Sequence, residues 1–207
     1  MLFRSDHAVW FALATIGFMG CKAGGFRLGD SVLVVGGGIV GQMALRWAVA
    51  AGAKHAVMLD PIVERLQHAR RGGATATIHG RVGEVPIEPS FGGSLPRVVV
   101  DATGIAALFA KCLPLPRHSG TLVLLGDSGT PSQQHLTLDV VRRGIQIHGA
   151  HVSHETPEWT ESTIVEFFLE LVSQNRFSVD DLITHRFPAE ACVEAYALTT
   201  ERRAETM

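Results

Sequence analysis

Gly36-Gly37-Gly38-Ile39-Val40-Gly41 spaces three glycines as G-x-G-x-x-G, and an acid, Asp60, follows roughly 19 positions beyond the last of them. At Gly36 the missing side chain permits a sharp turn, at Gly38 it lets main chain approach a pyrophosphate, and at Gly41 it lets a helix and a strand pack closely. Ile39 and Val40 would open that helix, whose free N–H groups and dipole hold phosphate charge. Glycines also make ordinary turns, so the pattern draws its meaning from context. It directly follows an apolar run, Ser31 to Val35, and opens a helical stripe. Asp60 ends the next run, Ala56 to Leu59, where a carboxylate accepts hydrogen bonds from the adenosine ribose hydroxyls and repels a 2′-phosphate. The expected cofactor is therefore NAD(H) over NADP(H). Arg65 pulls the other way, either pairing with a phosphate or lying along the ribose. Asp60 also suits a cap ahead of Pro61, a role compatible with the first. A methyltransferase places an acid after its second strand too, but has no need of the third glycine.

The elements that must hold these residues alternate between short continuous apolar runs and segments of helical period. Ser31 to Val35, Ala56 to Leu59, Val98 to Val100, Leu122 to Leu125 and Ile145 to Ile147 read as strands, with a weaker one at Ala76 to Ile78. Their unbroken hydrophobicity suits strands covered on both faces of a parallel sheet. Val40, Met43, Ala44, Trp47, Ala48 and Ala51 recur at helical spacing, predicting a helix with one packed face and leaving Gln42 and Arg46 off it. A second helix carries Ile62, Leu66 and Ala69 inward and stops at Arg70-Arg71 before Gly72-Gly73. The prolines and glycines of Gly83 to Pro96 predict a surface loop. Thr156-Pro157-Glu158 reads as an N-cap and first turn, followed by Ile164, Phe167, Phe168, Leu171 and Val172 on one stripe. Leu182 to Phe187 reads as a strand, and a short helix is expected from about Ala189. The resulting boundaries are a linking helix over 1–24, a dinucleotide-binding domain over 25–177 and a C-terminal segment over 178–207.

Composition narrows the classes. Hydrophobic residues make up 46% of the 207 and charged ones 18%, a globular balance with a core of useful size. A net charge of -2, with basic doublets only at Arg70-Arg71, Arg142-Arg143 and Arg202-Arg203, argues against nucleic acid or an anionic membrane as partner. The apolar run Ala8 to Gly20 is shorter than the roughly 20 residues of a membrane span and reads as a buried helix. Cys21, Cys112 and Cys192 form no Cys-x-x-Cys pair, which favours a reducing, cytoplasmic setting. His148, His151 and His154 recur every third residue, but in a strand-to-loop segment that spacing does not converge the rings on a metal. Asp127 and Ser128 suit a turn before Gly129 better than a ligand site, and Cys112 a small buried hydrophobe better than a nucleophile.

These residues resemble the medium-chain dehydrogenase/reductase superfamily, in its alcohol, polyol and threonine dehydrogenase branches, from about Ala8 to Leu198. The resemblance is carried by Gly29-Asp30-Ser31-Val32-Leu33-Val34-Val35-Gly36, Ala51-Gly52-Ala53, Asp60 with Arg65-Leu66, Asp101-Ala102-Thr103-Gly104, Gly120 to Gly126 and Leu182 to Pro188. It implies an α/β fold, a doubly wound six-stranded parallel sheet in the order 3-2-1-4-5-6. It also implies NAD(P)-dependent oxidation of an alcohol or reduction of a carbonyl, and homodimers joined through the last sheet strand. Carried over, Thr103 and Gly104 would line the nicotinamide ribose, and Leu125, Gly126 and Ala150 would lie near the nicotinamide ring. His151 would fall close to it. Family members begin with a catalytic domain ahead of this region, so the substrate half is expected to lie outside the chain. The branch's zinc-binding Glu falls in register on Ala12, and the four-cysteine zinc loop is absent, so the parent enzyme is expected to lack catalytic zinc or to draw its ligands from elsewhere. The other reading is a dinucleotide-binding or interaction module without catalysis; turnover of any alcohol by the chain would exclude it.

Overall fold

The computed structural model describes residues 5–201 and residue 206; the Arg202-Arg203 doublet lies outside the described residues. Six strands, β1 (Ser31–Val35), β2 (His55–Asp60), β3 (Ala76–His79), β4 (Val98–Asp101), β5 (Thr121–Leu124) and β6 (Gln146–Gly149), form one sheet in the order β3-β2-β1-β4-β5-β6. Every pairing is parallel, and the register sets Val35 beside Leu59 and Asp101, and Asp101 beside Leu124. The C-terminal ends of the central strands therefore share one rim, on both sides of the point where the order reverses between β1 and β4. Such rims are where ligands of open α/β sheets bind.

The apolar runs form central strands because both faces are covered. Val32, Val34, Val98 and Val100 pack with Ala44, Leu45, Ala48 and Leu66, while Leu33, Val35, Val99 and Leu122 pack with Val82, Phe91, Phe109 and Leu113 on the other face. The first layer comes from α3 (Ile39–Ala50) and α4 (Val63–Arg71), and part of the second from α5 (Ala106–Cys112). A short helix α1 (Ser5–Ala8) precedes α2 (Phe11–Gly24), and α2 crosses α3 so closely that an added Cβ on Gly17 would lie 2.7 Å from Met43 Cβ. Trp47 Nε1 donates to Ala14 O across this contact, and the Trp47 and Phe18 rings meet edge to face at 5.1 Å. Helix α7 (Glu161–Ser173) completes this cluster with Ile164, Phe168, Leu171 and Val172. α6 (Asp139–Arg143) leads into β6, and the chain ends in α8 (Cys192–Glu201), which buries no residue.

Three expectations are corrected. Gln42 and Arg46 are not on an open face: Gln42 is 0% exposed and Arg46 2% exposed, so α3 is enclosed all round. The helix expected from Thr156 begins at Glu161 with Thr160 as its cap, because Thr156 and Trp159 bond each other's main chain and close the intervening residues into a tight turn. Leu182 to Phe187 forms no strand. Leu182 N–H donates to Val179 O, and its side chain is buried beside Phe177 and Val179, so the segment is tied down by a turn and a few apolar anchors rather than a ladder. The segment from Gly83 to Pro96 is a loop carrying one 3-10 turn, Glu88–Phe91.

Candidate functional site

The glycine motif sits between β1 and α3. Gly36 takes φ +96°, a left-handed conformation that a side chain disfavours, and its N–H donates to Leu59 O, tying the turn to β2. Gly38 is the residue before α3 and is extended; a Cβ built on it would meet nothing within 4 Å. Gly41 is the opposite case, since an added Cβ would overlap the carbonyl oxygen of Gly36. One glycine thus opens space in front of a helix start and another closes helix onto strand.

Asp60 braces this turn. Its carboxylate accepts from Gly37 N at 2.6 Å and from Ile62 N at 2.7 Å, and it is 2% exposed. Each oxygen keeps lone-pair capacity beyond one bond. Arg65 Nη1 stands 3.7 Å from Asp60 Oδ2. Across the sheet, Asp101 holds the β4 turn through Thr103, accepting from its N at 2.9 Å and its Oγ1 at 2.6 Å. Burial pushes the Asp101 carboxyl above the usual carboxylate range, with the two Thr103 bonds opposing the shift. Its carbonyl receives the N–H groups of Leu125 and Gly126, so one residue fixes the ends of β4 and β5.

Between these turns lies a cavity of about 690 Å³. Of the residues singled out from the sequence, Gly36, Gly38, Ile39, Asp60, Arg65 and Thr103 line it. Val40 and Gly41 lie just behind, in the first turn of α3. Gly104 packs against Asp127 and Gly126, next to the cavity rather than on its wall. Leu125 and Ala150 do not reach it either: Leu125 meets Gly20 of α2, and Ala150 packs between two core clusters. Sequence reasoning missed the outer wall, made by Arg81 and Glu84 after β3, by Ile105, Leu108 and Lys111 around α5, and by Thr199 of α8. For the residues after β3 and around α5 the one available signal was position, following strands that end at the same rim; Thr199 carried none. The wall carries three basic side chains, Arg65, Arg81 and Lys111, against two acidic ones, Asp60 and Glu84.

The remaining candidates do not converge. His148 Nδ1 lies 2.7 Å from Ala23 O, His151 pairs with Ser153, and the His151 and His154 rings are 6.2 Å apart. Among the described residues no three His, Cys, Asp or Glu side chains are grouped to hold a metal ion, and Ala12 stands exposed on α2. Ser128 Oγ accepts Thr130 N–H in a turn. Burial, with Asp101 nearby adding to it, raises the Cys112 thiol, and burial pushes Cys21 up to about 12, so neither is a thiolate nucleophile.

Residues 40–170 match the zinc-binding dehydrogenase family. Sorbitol dehydrogenase of Gallus gallus is 31% identical over 193 residues, 89% of this chain and 51% of that protein. That of Mus musculus is 32% identical over 188 residues, 88% of this chain and 50% of its own length. The chain therefore spans about half the length of the curated relatives it matches. Among solved structures, a short chain alcohol dehydrogenase from E. coli CFT073, complexed with NADH, superposes with a TM-score of 0.83 at 21% identity, over 98% of this chain and 58% of that one. This last likeness bears on the fold.

Proposed function

The chain belongs to the zinc-binding dehydrogenase family, within the medium-chain dehydrogenase/reductase superfamily, and from that premise we propose that it is the NAD(H)-holding part of an enzyme that moves a hydride between nicotinamide and an alcohol or carbonyl. The observation that carries the reading is the cradle itself: open space in front of Gly38 at the start of α3, with the Asp60 carboxylate on the neighbouring strand end and both on one cavity wall. A pyrophosphate suits the first feature and an adenosine ribose the second. Gly36, Gly38, Ile39, Val40 and Gly41 would hold the diphosphate, Asp60 the ribose hydroxyls with Arg65 alongside, and Thr103 the second ribose. Gly104 would join Thr103, and Leu125, Gly126 and Ala150 would flank the nicotinamide, by family resemblance alone, since these four do not line the cavity. When bound, the nicotinamide supplies the hydride chemistry. This chain's part is to orient it and keep water from it.

NAD(H) is preferred because a 2′-phosphate would press added negative charge on a carboxylate that is 2% exposed, and Arg65 at 3.7 Å offsets only part of it. In the same reading, residues 25–177 are the cofactor domain, 1–24 the linker that carries α1 and α2, and 178–207 the segment that would meet a catalytic domain. A cytoplasmic setting accords with three free cysteines among the described residues, none of whose helices is long and apolar enough to cross a membrane. Isothermal titration tests the assignment: NADH is expected to bind at least about tenfold more tightly than NADPH, a gap of about 1.4 kcal/mol. No NADH binding, or tighter NADPH binding, would overturn it.

A further inference from the structure

Behind the glycine turn, on the side away from the cavity, runs a chain of buried polar contacts. Gln42 Nε2 donates to Gly37 O at 3.0 Å and to Arg65 O at 2.8 Å, so one amide grips both the glycine turn and the helix that carries Arg65. Its Oε1 accepts from Arg46 Nη1 at 2.8 Å, one helical turn further along α3. Arg46 continues outward, donating through Nη2 to Asp181 Oδ1 at 2.8 Å and through Nε to Ser178 O at 2.6 Å. Asp181 Oδ2 is 3.0 Å from His68 Nδ1 on α4. Gly72 leaves the room this guanidinium needs, since a Cβ there would lie 2.5 Å from Arg46 Cζ.

We infer that Gln42 is a positioning residue for the glycine turn, and that Arg46 and Asp181 make the geometry of that turn depend on the 178–182 segment. The inference rests on the reading of Gly36–Gly41 as a diphosphate cradle. Its physical basis is the cost of the alternatives. A fully buried amide or guanidinium that loses its partner bears the desolvation penalty of an unmade hydrogen bond, so each member holds the next in place. An arginine in the core is poor value for stability alone, because apolar residues of similar size often replace buried ion pairs without loss. Here its guanidinium spans from Gln42 to the C-terminal segment, more than 130 positions away in sequence. Displacing that segment removes the Asp181 and Ser178 partners of Arg46 and leaves it Gln42 and the His68 carbonyl at 3.3 Å, which loosens its hold on Gln42 and, through that amide, on Gly37 O and Arg65 O.

Two substitutions test this. Gln42→Met keeps volume and helix propensity but removes both donors and the acceptor; Asp181→Asn keeps shape but withdraws the charge facing Arg46. Amide hydrogen exchange over residues 36–41 and NADH affinity by fluorescence titration are read at a temperature where circular dichroism shows every variant folded. Each single change is expected to speed exchange at Gly37 and Gly38 and to raise the NADH Kd, both by about tenfold. The double variant is expected within twofold of Gln42→Met, because Asp181 acts through Gln42. Multiplying effects of about a hundredfold would overturn the relay. So would unaltered exchange at 36–41 in a folded but less stable variant, the mark of a merely structural role. If Gln42→Met does not fold, Asp181→Asn decides by the same exchange readout. Should the unsubstituted chain fail to bind NADH, the cofactor reading falls, and exchange alone judges the relay.

Discussion

At the scale of single residues, Gly38 and Gly41 separate function from folding within one motif. Gly41 abuts Gly36 O, so Gly41→Ala forces main chain apart and is expected to cost about 3 kcal/mol of stability. Gly38 is extended at φ −65°, ψ 179°, a conformation alanine adopts freely, and its Cβ would point into open space. Gly38→Ala should therefore leave the unfolding free energy from chemical denaturation within about 0.5 kcal/mol of the parent. NADH binding should still weaken more than tenfold, because the methyl occupies the surface against which the diphosphate would lie. Equal destabilisation by the two substitutions, or unchanged NADH affinity in Gly38→Ala, would contradict this division. The roles of these glycines are legible in sequence because a missing side chain has few uses after an apolar run. Gln42 and Arg46 are not: hydropathy assigns them to solvent, and only the closing of α4 and the 178–182 segment over α3 shows their polar atoms satisfied inside.

At the scale of elements, apolar continuity locates the strands to within about two residues, since the central ones are covered on both faces and carry their polar residues at or near their ends. Helix starts are less secure. Thr156 and Thr160 both precede acids and an apolar stripe, and the choice turns on the Thr156–Trp159 bridge and on the reciprocal Thr160 and Thr163 hydrogen bonds. Leu182 to Phe187 misleads for a related reason: a short run of this length can be read as a strand, but among the described residues the six-stranded sheet does not include it. α2 packs closely on α3. Gly17→Ala would gain up to about 1 kcal/mol of helix propensity, yet its Cβ would meet Met43 Cβ at 2.7 Å and Met43 carbonyl carbon at 2.9 Å. Because backbone cannot swing aside as a side chain can, overpacking of about 1–3 kcal/mol outweighs the gain. Urea denaturation should show Gly17→Ala less stable than the parent; a gain in stability would show that the two helices can separate without loss.

At the scale of the whole molecule, the sheet has two unequal edges. β3 is backed by α4, with Ala76 and Ile78 packed into the core. β6 is exposed at Gln146, His148 and Gly149, and the approach to it carries Leu136, Leu138 and Val141, the last 82% exposed. Gln146 N donates to Gly120 O and Ala150 N to Leu124 O, so alternation turns the Ile147 and Gly149 amides outward, away from β5. An unpaired edge beside apolar side chains is a template for another strand, and a two-fold axis would let the same edge of a second copy satisfy it. We therefore expect a homodimer in which two β6 strands pair. Light scattering after size exclusion should give twice the chain mass of 22.2 kDa. Gly149→Pro removes an outward donor from the edge while leaving the β5 ladder intact, and should shift the species toward one chain mass with an unchanged circular dichroism spectrum. A parent protein that stays monomeric at about 100 μM, roughly a hundredfold above a micromolar dissociation constant, or a Gly149→Pro variant that remains dimeric, would place the association elsewhere or nowhere.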